Sequence, residues 1–204
     1  MASITTTQFS HHETAKDLSL LFSSNARTAV LLAVLPDPMP SYYQRQLESA
    51  TGMPLRAVQR EVERLCGAGL LFRRAEGNRV YYQVNRDHPL FPELRGMVMK
   101  GAPPALRLRG GAAMDPAVRL CLLSPERDRA LVVCHPGARP VFDAPGIALE
   151  VTGSEKFLRG LSEGHAGVLA WLGGGTDVLG RRDDVIWRHI EAAGHAVKKE
   201  PGVP

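Results

Sequence analysis

The sequence predicts an α/β fold built from two units, and three observations carry that reading. Residues 25–100 show helical apolar spacing more than once and then a hairpin pattern. Residues 117–152 hold three apolar runs of strand length, the first two separated by a turn-like stretch. Helical patterns return after Ser154, so strands and helices share the second half. With 204 residues the chain can form two small domains. The expected division is a flexible tail over 1–15, a first domain over 16–100, a linker over 101–116, a small α/β domain over 117–193 and a flexible tail over 194–204.

In the first unit, Ala15 to Phe22 can form a short helix with Leu18, Leu21 and Phe22 on one side. A second helix is expected from Asn25 to Leu35, ended by Pro36, Pro38 and Pro40. Ser41 suits an N-cap with Gln44 three residues on, which predicts a capping box and a helix to about Ala50. Thr51-Gly52-Met53-Pro54 supplies a turn. The next helix runs from about Leu55 to Ala68. Leu55, Val58, Val62 and Leu65 form its inner stripe, and Arg56, Gln59, Arg60 and Glu63 its outer one. Gly69 stops it. A hairpin follows, with strands at Leu71–Arg74 and Arg79–Val84 around Glu76-Gly77-Asn78, and then a helix from Leu90 to Lys100.

The second unit offers strands at Ala117–Leu123, Ala130–Cys134 and Ile147–Thr152 and a helix over about 154–161. Val168–Leu172 is too short for periodicity to separate strand from helix. After Gly173-Gly174-Gly175, the spacing predicts a last helix over Arg182–Ala192.

Charge is spread unevenly. The net charge is +4, from 25 basic and 21 acidic residues. Between Ser41 and Arg86 stand eight Arg against four Glu, while the part after Gly101 is nearly balanced, with 13 basic and 12 acidic residues. A concentrated basic segment suits phosphate. Helices followed by a basic hairpin are also the order in which a winged helix-turn-helix sets one helix in a DNA groove and its wing against the backbone. Double-stranded DNA is therefore the expected partner. The candidate contacts on the helix are Arg56, Gln59, Arg60 and Arg64, and those on the wing are Arg73, Arg74, Asn78 and Arg79. Arg and Gln can read guanine and adenine edges, and the first turn of the helix, with Arg56 and Gln59, is the part that reaches bases. Arg60 and Arg64 suit phosphate equally, or pairing with Glu63 and Glu61. Tyr42 and Tyr43 can bring a hydroxyl or free helix amides to phosphate, one of the two being expected to pack inside.

A single such module reads few base pairs, so a homodimer is expected. Its candidate pairing residues are Leu18, Leu21 and Phe22, together with Leu90, Leu94, Met97 and Val98. The three cysteines, Cys66, Cys121 and Cys134, show no CxxC spacing and read as buried thiols in a reducing compartment. No histidine spacing suggests a ligand set, and neither a metal nor a cofactor is expected. The polar N-terminus and the lack of any apolar run near the roughly 18 residues of a membrane span lead to the expectation of a cytoplasmic protein without a membrane partner. Trp171 and Trp187 read as core, and an effector ligand for the second domain stays open.

The stretch Pro54-Leu55-Arg56-Ala57-Val58-Gln59-Arg60-Glu61-Val62-Glu63-Arg64-Leu65, with Gly69-Leu70-Leu71 and Gly77-Asn78-Arg79-Val80-Tyr81-Tyr82-Gln83-Val84-Asn85, resembles ArsR-like winged-helix transcriptional regulators. His88-Pro89-Leu90-Phe91-Pro92-Glu93-Leu94-Arg95 is similar to a subgroup that often carries a nucleotidyltransferase-like domain. Val151–Leu161 and Val168–Gly173 are similar to the tail of that domain. The resemblance implies a DNA-binding transcriptional regulator. In place of the family's Gly-Ser turn and spaced aspartates this chain has Leu123-Ser124 and Glu126-Arg127-Asp128, so the second domain reads as a truncated, degenerate relative without transferase chemistry, and no catalytic residue is expected. The alternatives are a nucleotidyltransferase using Glu126, Asp128 and Asp143 or Glu150, or a protein-interaction scaffold.

Overall fold

The computed structural model describes residues 17–203. Residues 17–21 are helical (α1), and α2 (Asn25–Val34) follows, with Ser24 capping it by accepting the Arg27 amide. Then come β1 (Tyr42–Tyr43), α3 (Gln44–Thr51), α4 (Leu55–Gly67), β2 (Leu71–Glu76), β3 (Arg79–Val84) and α5 (Phe91–Gly101). β1, β3 and β2 make a three-stranded antiparallel sheet, and Gly77 closes the β2–β3 turn at φ +58, where a side chain would be strained. Val30, Leu31 and Leu35 of the α2 segment, Leu47 of α3, Val58 and Val62 of α4 and Val98 of α5 fill one apolar core.

The second unit is an α/β arrangement around a five-stranded sheet. Its elements are α6 (Pro104–Met114), β4 (Val118–Leu123), β5 (Arg129–Cys134), β6 (Ala148–Gly153), α7 (Ser154–Ser162), α8 (Ala166–Gly174), β7 (Thr176–Asp177), α9 (Val185–Ala192) and β8 (Lys198–Lys199). The strand order is β6-β5-β4-β7-β8, with β4 antiparallel to β5 and β7, and the outer pairs parallel. Strand periodicity divides the apolar side chains between two faces. Cys121, Leu123, Ala130 and Val132 meet Leu108 and Ala112 of α6. Leu120, Leu122, Leu131 and Val133 meet Phe157, Leu172, Ile186 and Trp187 from α7, α8 and α9. The unit is thus three layers deep.

Several expectations are corrected here. The segment 101–116 is no linker. Pro104 starts α6, and Leu108, Ala112 and Ala113 enter the core of the second unit. Its Gly110-Gly111 pair serves close packing, because a Cβ on Gly110 would lie 2.6 Å from the Met99 side chain and one on Gly111 2.5 Å from the Phe142 ring. The helix expected at Ser41 begins two residues later. Tyr42-Tyr43 pair with β3 first, and the Tyr43 amide donates to Gln46 Oε1 (3.0 Å), which moves the capping frame. Val168–Leu172, open between strand and helix from the sequence, lies within a helix, α8. α9 begins at Val185 rather than Arg182, because Asp184 accepts the Ile186 amide as its N-cap. Part of the segment 194–204 is ordered against the fold. Lys198–Lys199 extend the sheet as β8, and the Gly202 carbonyl accepts from Arg109 Nη1 at 3.0 Å. The tail expected over 1–15 lies outside the described residues.

Candidate nucleic-acid interface

α4 turns Val58, Glu61, Val62 and Leu65 inward, leaving Arg56, Arg60, Glu63 and Arg64 exposed and Gln59 half-buried. Glu61 stands inward, a position the apolar spacing of α4 does not mark for a charged residue. Its side chain is fully buried, and three guanidiniums compensate it. Arg27 Nε stands 3.0 Å from Oε2, Arg64 Nη1 2.9 Å from Oε1 and Arg60 Nε 3.8 Å from Oε1. Ser24 Oγ adds a weaker donor at 3.4 Å. Arg64 and Arg60 therefore turn one edge of the guanidinium inward, although both side chains stay more than half exposed. Arg27 comes from 34 residues away, a separation at which no local pattern in the sequence signals the pair.

Gln59 is oriented by its neighbours. Its Nε2 donates to Gln44 Oε1 (3.1 Å), and Gln44 Nε2 donates in turn to the Tyr82 hydroxyl (3.3 Å). This leaves Gln59 one N–H and its carbonyl oxygen, the donor–acceptor pair that an adenine edge requires. Gln44, which the sequence suggests only as a capping partner, is thus the link between α3 and α4.

The hairpin carries its basic groups on two faces. Cross-strand partners share a face, so the register places Arg74 with Tyr81 and Glu76 with Arg79 on the outer side, while Arg73 pairs with Tyr82 on the inner side. Arg73, Arg74, Asn78 and Arg79 are all exposed. Arg74 Nη2 is 3.2 Å from Glu76 Oε2. The Arg79 guanidinium stands over the Tyr43 ring, 5.4 Å from its centre, and the Tyr43 and Tyr81 rings meet edge-on at 6.3 Å. Tyr43 and Gln44 are consecutive, so the outer face of the hairpin and the outer stripe of α4 adjoin through the start of α3.

Tyr42 is a correction. As the alternate residue of β1 it points inward and is 1% exposed, with its hydroxyl donating to the Ala33 carbonyl (3.3 Å) and accepting from Arg109 Nη2 (2.7 Å). Burial raises its pKa, partly opposed by Arg109. A phosphate cannot reach it. Of the residues named for pairing, Leu18 and Val98 are buried, and Phe22 and Leu94 pack against the first core. Leu21, Leu90 and Met97 face outward, as does Leu20.

In the second unit, Ser124 Oγ donates to Asp128 Oδ1 (3.0 Å), and Glu150 Oε1 lies 3.3 Å from Arg129 Nη1. Among the described residues, no three side chains of His, Cys, Asp and Glu converge on a point that could hold a metal ion. Cys66 is half-buried, and burial raises its thiol pKa; Cys121 and Cys134 are buried in the sheet. Among the described residues no helix is long and apolar enough to cross a membrane. Neither a family model, nor a curated protein, nor a solved structure matches this chain.

Proposed function

We propose that the chain is a sequence-specific, double-stranded DNA-binding transcriptional regulator of the winged-helix type, acting as a homodimer, with a second unit that resembles a truncated nucleotidyltransferase and has no catalysis of its own. The observation that carries this reading is the adjoining of the two basic surfaces. Arg56, Arg60 and Arg64 stand outward on α4, Arg74 and Arg79 stand on the hairpin, and the Gln59–Gln44 bond and the Arg79–Tyr43 stack lie between them. In this reading α4 enters the major groove, Arg56 and Gln59 face base edges, and the guanidiniums of the hairpin follow phosphates. The homodimer draws support from Leu20, Leu21, Leu90 and Met97, apolar side chains that the chain's own core leaves outward.

Selection from a library of randomised duplexes at physiological salt tests the proposal. The expected result is an enriched motif with two-fold symmetry, whose preference relaxes in Arg56→Ala and Gln59→Ala. Recovery of no motif above bulk DNA would refute specific recognition. Sedimentation of the full chain as a monomer at the concentrations that bind would refute the dimer.

A further inference from the structure

Beside β6 the second unit has a cleft of about 430 Å³, a size typical of small-molecule sites. β6 is an edge strand and is more exposed than the adjoining β5. The floor and walls are Leu131, Phe157, Val168 and Trp171, and α7 adds Lys156 and Arg159. Gly160 lets the two helices close behind it, since a Cβ there would come within 2.9 Å of Val168 Cγ2.

The indole of Trp171 is held in place rather than buried. Its Nε1 donates to Glu150 Oε2 (3.1 Å), Glu150 Oε1 meets Arg129 Nη1 (3.3 Å), and the Arg129 guanidinium stands 5.8 Å from the ring centre. A half-buried tryptophan fixed in this way is an apolar platform with little rotamer freedom left to lose on binding. The same contacts occupy Glu150, whose charge is offset by Arg129. Of the remaining charges, Lys156 and Arg159 share one side of α7, one turn apart, and outnumber Glu163, which stands past the end of that helix. His165 adds a donor. Its Nδ1 accepts the Gly167 amide, so the neutral ring carries its proton on Nε2.

We propose that this cleft binds a small amphipathic acid, its apolar body against Phe157, Val168 and Trp171 and its carboxylate toward Lys156 and Arg159. The site stands independently of the DNA reading, since every group in it belongs to the second unit.

Three isosteric probes with one apolar body test it on the full chain: 4-phenylbutyrate, 4-phenyl-1-butanol and 4-phenylbutylamine. Binding is followed by calorimetry and by the emission of Trp171, with the buried Trp187 as constant background. The expected order is acid, then alcohol, then amine, with the acid favoured over the amine by at least roughly five-fold. Lys156 and Arg159 are exposed, so Lys156→Ala/Arg159→Ala should keep the wild-type melting curve while levelling acid and alcohol. No saturable binding of 4-phenylbutyrate up to about 10 mM, equal binding of the amine, or an unchanged order in the double variant would each overturn the proposal.

Discussion

Glu61→Gln separates the structural and the surface roles of the arginines on α4. The wild-type carboxylate accepts two short charge-assisted bonds, from Arg27 at 3.0 Å and Arg64 at 2.9 Å, inside a fully buried side-chain site. Bonds to a charged group contribute about 1.5–3 kcal/mol each and neutral ones about 0.5–1.5 kcal/mol. The amide keeps one acceptor but turns an NH₂ toward the other guanidinium, so one bond weakens and the other is lost. Arg64 is more than half exposed and Arg27 about a third exposed, so both recover hydration, and the loss is discounted accordingly. A destabilisation of about 2 kcal/mol is expected, read as a lower urea midpoint at unchanged slope. The same substitution removes the charge that draws Arg64 and Arg60 inward and raises the charge of the α4 face by one. Binding to bulk duplex should therefore tighten, with the salt dependence steepened by roughly 0.9 if one further phosphate is contacted. On the proposed reading, the variant is expected to be less stable and to bind DNA more tightly. A stability change under about 0.5 kcal/mol would refute the structural role of Glu61, and unchanged or weaker duplex binding in a folded variant would refute the placement of α4 against DNA.

Three further outcomes follow from other contacts. Arg79→Ala, at an exposed site, should weaken all duplexes about equally and lower the salt slope by roughly 0.9, measured by anisotropy titration over several salt concentrations; loss of sequence preference instead would place Arg79 on bases. Arg109→Met removes the donor to Tyr42 and Gly202 and takes from the buried Asp37 the guanidinium 3.8 Å away, leaving Arg95 as the remaining nearby cation, so a loss of about 3 kcal/mol is expected in urea unfolding; adding Asp37→Asn should restore part of it. For Asp184, burial acts to raise the carboxyl pKa, but the Arg119 guanidinium and the Ile186 amide outweigh it and hold the group below the usual range. A depressed folded pKa stabilises above the unfolded value of about 3.9 and is lost as pH falls through the folded one, so wild-type stability should fall below about pH 4 by a component missing from Asp184→Asn.

The parts of the fold legible in the sequence are those fixed by local pattern. α4 and the hairpin stand within a residue or two of where apolar spacing and Gly77-Asn78 put them. α6 was hidden because Pro103-Pro104 and Gly110-Gly111 carry the composition of a linker; only the approach of Met99 and Phe142 shows that the glycines are there for contact. Tyr42 and Tyr43 are indistinguishable by type, and the register of β1 with β3 sends one inward and the other under Arg79. Trp171 reads as core, but its indole is only half-buried, bonded to Glu150 of the edge strand β6, and forms the wall of a cleft. No spacing within a single segment encodes such a gap between elements.

Several buried charges share a position in the architecture. Glu61 joins α4 to Arg27 of α2, Arg109 of α6 joins Tyr42 and Asp37 of the first unit, and Asp115 accepts the amide of Val141 across 26 residues. Apolar contacts tolerate sliding as long as volume is kept, whereas a buried hydrogen bond to a charged group has a narrow range of good geometry and loses heavily when it is shifted. Replacing such pairs by apolar side chains is often neutral or better for stability, so stability alone is a weak account of them. Their placement fits an account in which they fix where one element sits on another. The consequence is sharpest at β1. Tyr42 is held from behind by α6 through Arg109, and the next residue, Tyr43, lies under Arg79 on the outer face. One strand of two residues thus has its inner side chain bonded both to α6 and to the Ala33 carbonyl, and its outer one in the basic surface.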